Sequence, residues 1–396
     1  MIQKRSISRL PNAVFEELGW DYFISSEAAD YLTSEMVIMN GSERDGFYSA
    51  GNRLYEMLTT TGEYILKNNL LHVLGIPSNL HELIRLTWDD DRHLHLFGRF
   101  DFAGGVDGLP IKLLEFNADT PTSLPETAII QWAQLKANEL PEDAQFNFVY
   151  EALTDNFRRL RSLNPDREAA ILFSTLRGAP EDNNNIALLS EAAREAGFET
   201  GFAYADEVIF SEVNGIFAPD ASGTPLNYPF WFKLIPWEYI ALDEPELCKI
   251  LTRIVRNGQA IVLNPAYTML FQSKGILKFL WDLYPGDPLL LEATLEEPIG
   301  RGNFPFVQKV FLGREGSNVS IHDSEGVPVE VRLGEYGEQA SVYQAVAQLA
   351  RDAGGQYYQA GVFFAYESCG LGFRRSPNRI MDDGAQFVGH LVEWAP

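Results

Sequence analysis

Arg99, Asp101, Glu115 and Asn117 fall in two short stretches, Arg99-Phe100-Asp101-Phe102 and Ile111-Lys112-Leu113-Leu114-Glu115-Phe116-Asn117. A hard divalent cation takes oxygen ligands, and Mg²⁺ settles for one or two carboxylates beside phosphate and water. Asp101, Glu115 and Asn117 supply that oxygen set, and Arg99 is placed to hold an anion next to it. Charge alternating with aromatic residues marks the first stretch as a half-buried strand, and the second reads as its partner. Gly104-Gly105, Asp107-Gly108 and Pro110 make the turn between them. Paired antiparallel, the strands would put Arg99 and Asp101 on one face with Leu113, Glu115 and Asn117, because same-face residues recur every second position. Charges on a strand face are more often a solvated ion pair worth little, so spacing alone favours that reading over a cation site.

Two further stretches change the balance. Asn117-Ala118-Asp119-Thr120-Pro121-Thr122-Ser123 holds more small polar residues than a helix cap needs. Ser123 or Thr122 can cap a helix starting near Pro125, with Glu126 closing a capping box from Ser123. Hydroxyls beside a helix N-terminus suit an anionic substrate. Far downstream, a strand carrying Lys309 runs into Gly313-Arg314-Glu315-Gly316-Ser317. Glycines let backbone N–H groups turn toward phosphate oxygens, and Lys309 adds a point charge. The Gly-Lys-Ser/Thr ending of a P-loop is missing, and a glycine-rich turn alone is weak evidence. Joined to the distant acidic set, it makes a two-sided nucleotide clamp.

The run LLEFNADTPTSLPETA, preceded by GRFDF, resembles the signature of the glutathionylspermidine synthase family of ATP-grasp acid–amine ligases. The likeness covers nearly the whole chain and is densest at 97–128, 233–238, 271–284, 307–320 and 335–345. It implies a mixed α+β / α/β architecture, an ATP-grasp fold with a pre-ATP-grasp-like α/β domain. By the same resemblance, Asp101, Glu115 and Asn117 would hold two Mg²⁺ ions on the ATP phosphates. Lys274 and Lys309 would contact those phosphates, with Gln344 near the adenine-binding hinge. Arg99 and Arg314 would stabilise the transferring phosphoryl group and the tetrahedral intermediate, and Arg374 occupies the place of a further active-site arginine that also binds ATP. Thr120, Thr122 and Ser123 correspond to the carboxylate-substrate loop, with Glu238 assigned to the substrate side.

The implied chemistry is a carboxylate attacking the γ-phosphate of ATP, then an amine attacking the acyl phosphate. Bifunctional family members carry an N-terminal cysteine amidase domain, for which there is no room before this signature, so amidase activity is not expected. The Thr-Pro-Thr-Ser loop is richer in proline and hydroxyls than in glutathionylspermidine makers. Which acid and which amine, a polyamine among them, are joined stays open. A phosphotransferase using the same clamp, and a nucleotide- or peptide-binding module whose chemistry has lapsed, are the competing readings.

The elements that must position these groups follow from periodicity. Residues 43–68 read as a long helix with Phe47, Leu54, Leu58 and Ile65 on one face, and a shorter one follows with Asn79 as cap. Further helices are expected at 125–138 and 148–163. The buried run AAILFS, a helix over 183–196 and the strand ETGFAYA make an α/β unit with parallel pairing, lacking GxGxxG. It closes on an aromatic block, Tyr228 to Glu238, whose Lys233 and Glu238 are its exposed-looking charges. A helix led by Lys274 spans 273–284, and strands follow at 305–311, 318–322, 327–332, 341–345, 357–366 and 387–392. The expected division is 1–164, an N-terminal region with the metal and substrate hairpin; 165–265, the pre-ATP-grasp-like unit; and 266–396, the ATP-grasp lobe.

Composition narrows the partners. Asp plus Glu number 55 against 31 Lys plus Arg, a net charge of −24, and no basic run interrupts the excess. Such a surface repels phosphate backbones, so nucleic acid is not an expected partner. Two distant cysteines, Cys248 and Cys369, support neither a disulfide framework nor a thiolate zinc site. His93-Leu94-His95-Leu96 fits a strand edge better than a metal pair. The first residues lack a signal peptide's apolar core and no stretch reaches membrane-spanning length, so the cytoplasm is the expected compartment.

Overall fold

In the computed structural model, which describes every residue except 27, 29, 221, 299–303, 338 and 394–396, Gly98–Ala103 and Lys112–Asn117 pair antiparallel. Arg99 lies opposite Asn117 and Asp101 opposite Glu115. Phe100, Phe102 and Phe116 enter the main core, where the rings of Phe100 and Phe116 stack with centroids 3.9 Å apart. Arg99 and Asp101, on the other face, line a cleft. A bulge after Asp101 sets Phe102 opposite Leu113, so Leu113 packs into the core and Leu114 turns to the cleft. Leu113 therefore leaves the polar face expected for it, because the extra residue of a bulge resets the alternation.

The hairpin forms one edge of an eight-stranded sheet. From the other edge the order is Lys4–Ser6, Leu32–Asn40, Gln386–Glu393, Glu367–Ser376, Tyr357–Ala365, Gly98–Ala103 and Lys112–Asn117, with Ala350–Arg351 also pairing to Tyr357–Ala365. Neighbours run antiparallel, except that Leu32–Asn40 and Gln386–Glu393 are parallel. Strands from both ends of the chain thus share one sheet, and the three late ones do not stand in a separate lobe beyond 266. Glu367–Ser376, the strand bearing Arg374, had no strand reading because Ser368, Gly370 and Gly372 dilute its apolar pattern.

The long helix Gly41–Lys67 covers one face of this sheet. It starts with a capping box between Asn40 and Glu43 and buries Phe47, Leu54, Leu58 and Ile65, as the periodicity predicts. Gly51 lets it approach closely, since a Cβ there would collide with the Ser368 side chain. The helices Gln131–Ala137 and Val149–Leu163 pack on the opposite face. Ser123 does not cap the first of these: its hydroxyl lies 3.5 Å from that of Tyr31, and Glu126 accepts from the Tyr31 hydroxyl at 2.7 Å. The helix instead opens with a wide π turn at Glu126–Ile130. Asn79 likewise caps nothing, its amide donating to the Ala241 carbonyl. Residues 94–97 form no strand, and both histidines are buried.

Ile261–Leu263, Phe230–Lys233, Ala170–Ser174 and Glu199–Phe202 make a parallel four-stranded sheet, with Pro180–Glu195 the crossover helix between the last two. Ala293–Thr294, Ser341–Ala345, Phe306–Val310, Val319–His322 and Pro328–Arg332 form an antiparallel sheet that faces the hairpin across the cleft. Lys274 precedes the helix Ile276–Leu283, its backbone N–H bonded to the Phe311 carbonyl. Among the described residues no helix is long and apolar enough to cross a membrane.

Candidate active site

Polar hairpin face, glycine loop and the Arg374 strand enclose a cavity of about 330 Å³, within the usual range for a small-molecule site. On the sheet side, Arg99 clasps Asp101 with Nε and Nη2 at 2.8 and 3.2 Å, and its Nη1 donates to the Thr122 carbonyl at 2.8 Å. Asn117 Nδ2 donates to Asp101 Oδ2 at 3.1 Å. Gly361 lies opposite Asp101 in the next strand, and a Cβ there would sit 3.1 Å from Arg99 Cδ, so glycine makes the bed for this arginine.

The facing wall carries the lysines. Lys274 Nζ lies 3.2 Å from Glu115 Oε2 and donates to the Gly313 carbonyl at 2.7 Å. Lys309 Nζ donates to the Leu114 carbonyl at 3.0 Å and to Gln344 Oε1 at 2.8 Å. Burial works to raise the Glu115 pKa, but Lys274 and Lys309 outweigh it and hold the carboxylate below its ordinary range. Burial brings the Lys309 ammonium down to about 8, with Glu115 working against the fall. Early hairpin and late glycine turn therefore meet around one space.

Arg314 crosses that space. Its Nε and Nη2 both donate to Glu238 Oε1, at 3.0 and 2.7 Å, and its Nη1 donates to Thr120 Oγ1 at 2.8 Å. Behind it, Lys233 and Asp119 form a wholly buried ion pair at 2.9 Å, and Asp119 Oδ2 also accepts the Trp237 N–H at 2.8 Å. Burial pushes Asp119 up and Lys233 down, each opposed by the charge of the other.

Ten of the residues singled out in the sequence line the cavity: Arg99, Asp101, Glu115 and Asn117 from the hairpin, Thr120 and Thr122 from the polar loop, and Lys274, Lys309, Arg314 and Arg374. Ser123, Glu238 and Gln344 do not. They stand behind its wall, holding Tyr31, Arg314 and Lys309 respectively. Arg374 donates Nη2 to the Asp382 carbonyl, while its Nε is buried without a partner.

Sequence reasoning missed Glu181, a cavity-lining residue in the first turn of Pro180–Glu195, where an acidic side chain looks like ordinary helix-dipole complement. Burial, with Glu126 and Asp182 nearby, lifts its carboxyl to about 7 from 4.5. A carboxyl raised on folding favours the protonated native state, so its contribution to stability is present below 4.5 and lost as pH climbs through 7. Glu181→Gln is therefore expected to raise the melting midpoint at pH 8 and to leave it unchanged at pH 4. Equal shifts in calorimetric scans at both values would refute this.

Among the described residues no three His, Cys, Asp or Glu side chains converge as a metal set. Two carboxylates and an amide do share the cavity face, which fits a cation completing its shell with phosphate and water.

This fold is that of the ATP-grasp class. The structure is similar to a glutathione synthetase-like effector from Globodera pallida, with a TM-score of 0.60 at 8% identity over 98% of each chain. At the sequence level the chain matches the glutathionylspermidine synthase preATP-grasp family over residues 3–393, and it belongs to that family. Its relatives include a Haemophilus influenzae protein provisionally named acid–amine ligase, 28% identical over 385 residues and 94% of each chain. Escherichia coli bifunctional glutathionylspermidine synthetase/amidase is 26% identical over 341 residues, 79% of this chain and 52% of that one. Trypanothione synthetase of Crithidia fasciculata is 23% identical over 362 residues, 87% of this chain and 54% of that one. The chain spans about half the length of these two enzymes.

Proposed function

We propose that the chain is an ATP- and Mg²⁺-dependent acid–amine ligase that works through an acyl phosphate. The observation that carries this reading is the meeting of Asp101 and Glu115 with Lys274, Lys309 and Arg314 around one cavity. Lys274 and Lys309 hold the β- and γ-phosphates, while Asp101, Glu115 and Asn117 hold Mg²⁺, which when bound offsets phosphate charge. Thr120 and Thr122 orient the acid. A carboxylate oxygen of the acid bonds to the γ-phosphorus as the bond to ADP breaks. Arg99 and Arg314 stabilise the charge spread over the transferring group. The amine nitrogen then bonds to the acyl carbon, inorganic phosphate leaves, and the amine gives up a proton. Glu181, Glu315, Asp382 and Asp383, which also line the cavity, suit a cationic amine such as a polyamine. Positioning and charge carry most of the rate, since the protein forms no covalent bond.

The test is ADP release over pairs of peptides or amino acids with polyamines. A ligase releases ADP and phosphate only when acid and amine are both present. A phosphorylated acceptor formed without amine would make the chain a phosphotransferase.

Metal dependence has a specific form here. Arg99 clasps both Asp101 oxygens and Lys274 sits on Glu115, so internal cations already neutralise the carboxylates. Mg²⁺ alone is expected to bind weakly, and tightly only once phosphates draw those cations away. Calorimetry should give an ATP affinity at least about tenfold weaker in chelator. Indifference to chelator would contradict the metal roles.

A further inference from the structure

Arg314 is the cation of the glycine loop, and its direction is set from outside its own loop. A free arginine side chain on a glycine-rich turn samples many rotamers and loses entropy when fixed. Here three of its N–H groups are already committed, two to Glu238 Oε1 and one to Thr120 Oγ1. Donors on both terminal nitrogens remain for the cavity. Glu238 is 2% exposed and touches the cavity only through this arginine.

The mount is braced in turn. Glu238 opens the short helix Trp237–Asp243, whose first N–H is held by Asp119, and Asp119 is held by Lys233. One residue further on, the Tyr239 hydroxyl lies 2.7 Å from that of Tyr336, and the Tyr336 N–H donates to Asn318 at the end of the glycine loop. Thr120, the other support, belongs to the loop that receives the acid in the reading above. Arg314 is thus tied at one side to the acid's loop and at the other to a buried anion.

We infer that Glu238 is a positioning residue that holds Arg314 in its working orientation and, together with Thr120, makes that orientation depend on the acid's loop. This rests on the ligase reading. A buried carboxylate on arginine does two things here. It fixes the planar guanidinium by a paired hydrogen bond, and it keeps the charge where the phosphoryl group will need it.

The experiment uses the full chain with Glu238→Gln, Arg314→Ala and the double variant, read by ADP release at saturating acid and amine and by thermal melting. Glutamine keeps the shape and removes the charge. Glu238→Gln is expected to lower kcat about tenfold, less than loss of the arginine itself, with the ATP KM within about twofold. Added to Arg314→Ala it should lower kcat no further, because the group it orients is gone. Melting gives a second readout. Arg314→Ala leaves a buried carboxylate unpaired and should lower the midpoint, and Glu238→Gln should restore part of that loss in the double variant. A wild-type kcat in Glu238→Gln, or losses in kcat that multiply in the double variant, would overturn the inference. If the wild-type chain releases no ADP with any pair, the reaction reading fails, and melting alone decides the mount: independent losses in the double variant then overturn it.

Discussion

Glu115→Gln is expected to cut amine-dependent ADP release by about 10²–10³-fold, the scale seen when one electrostatic group is removed from a preorganised site. Glu115 does more than offer a metal its oxygens. It is the counter-charge to Lys274 at 3.2 Å, and its field helps keep Lys309 protonated. The amide has the same shape and keeps one acceptor, so the chain should still fold. What it loses is the charge that sets the protonation of the facing lysine and binds the cation. The prediction has two parts measured together: single-turnover ADP release falls, and ATP binding by calorimetry starts to weaken at a lower pH than in the wild type, already below about 8, because Lys309 without its carboxylate loses its proton sooner. Wild-type turnover in Glu115→Gln would remove the metal assignment, whatever happens to the pH profile.

Asp119→Ala should produce the largest stability loss among the charged positions, about 3–5 kcal/mol, as expected when one partner of a buried ion pair is deleted. Lys233 and Asp119 are both fully buried. Without the carboxylate, Lys233 Nζ keeps only the Ile235 carbonyl at 2.7 Å and the face of Trp237 at 4.3 Å. The Trp237 N–H, which Asp119 also accepts, would be left unpaired, adding a desolvated donor to an uncompensated charge. Chemical denaturation measures this directly. A loss under about 1 kcal/mol would mean that solvent or a rearranged partner reaches Lys233, and the picture of a sealed pair would be wrong.

What the sequence disclosed and what it hid divide along physical lines. Arg99, Asp101, Glu115 and Asn117 were legible because a strand's period of two is a local rule, and their neighbours Phe100, Phe102 and Phe116 say which face is core. The helix Gly41–Lys67 was legible for the same reason at a different period. The bulge that turns Leu113 inward was not, since its cause is the mismatch between two paired strands. Glu238 looked exposed because it is a charge at the end of an aromatic block, yet it is buried. Its burial is made tolerable by Arg314, 76 positions later, and no local pattern encodes that pairing. Asp119 and Lys233, 114 apart, stay hidden for the same reason. Arg374 was placed by resemblance alone, its strand being too rich in small residues to show alternation.

The hairpin bearing Arg99 and Asp101 takes its neighbouring partner from Tyr357–Ala365. On a ribosome, the hairpin's last residue, Asn117, emerges 240 positions before that partner begins. At about 5–20 residues per second that is a delay of roughly 12–48 s. Throughout it the helix Gly41–Lys67, made earlier, can already cover Phe100, Phe102 and Phe116, but the Gly98–Ala103 edge stays unpaired. On the ligase reading proposed above, the cavity is complete only once that strand has been made, so a nascent chain would not turn over ATP.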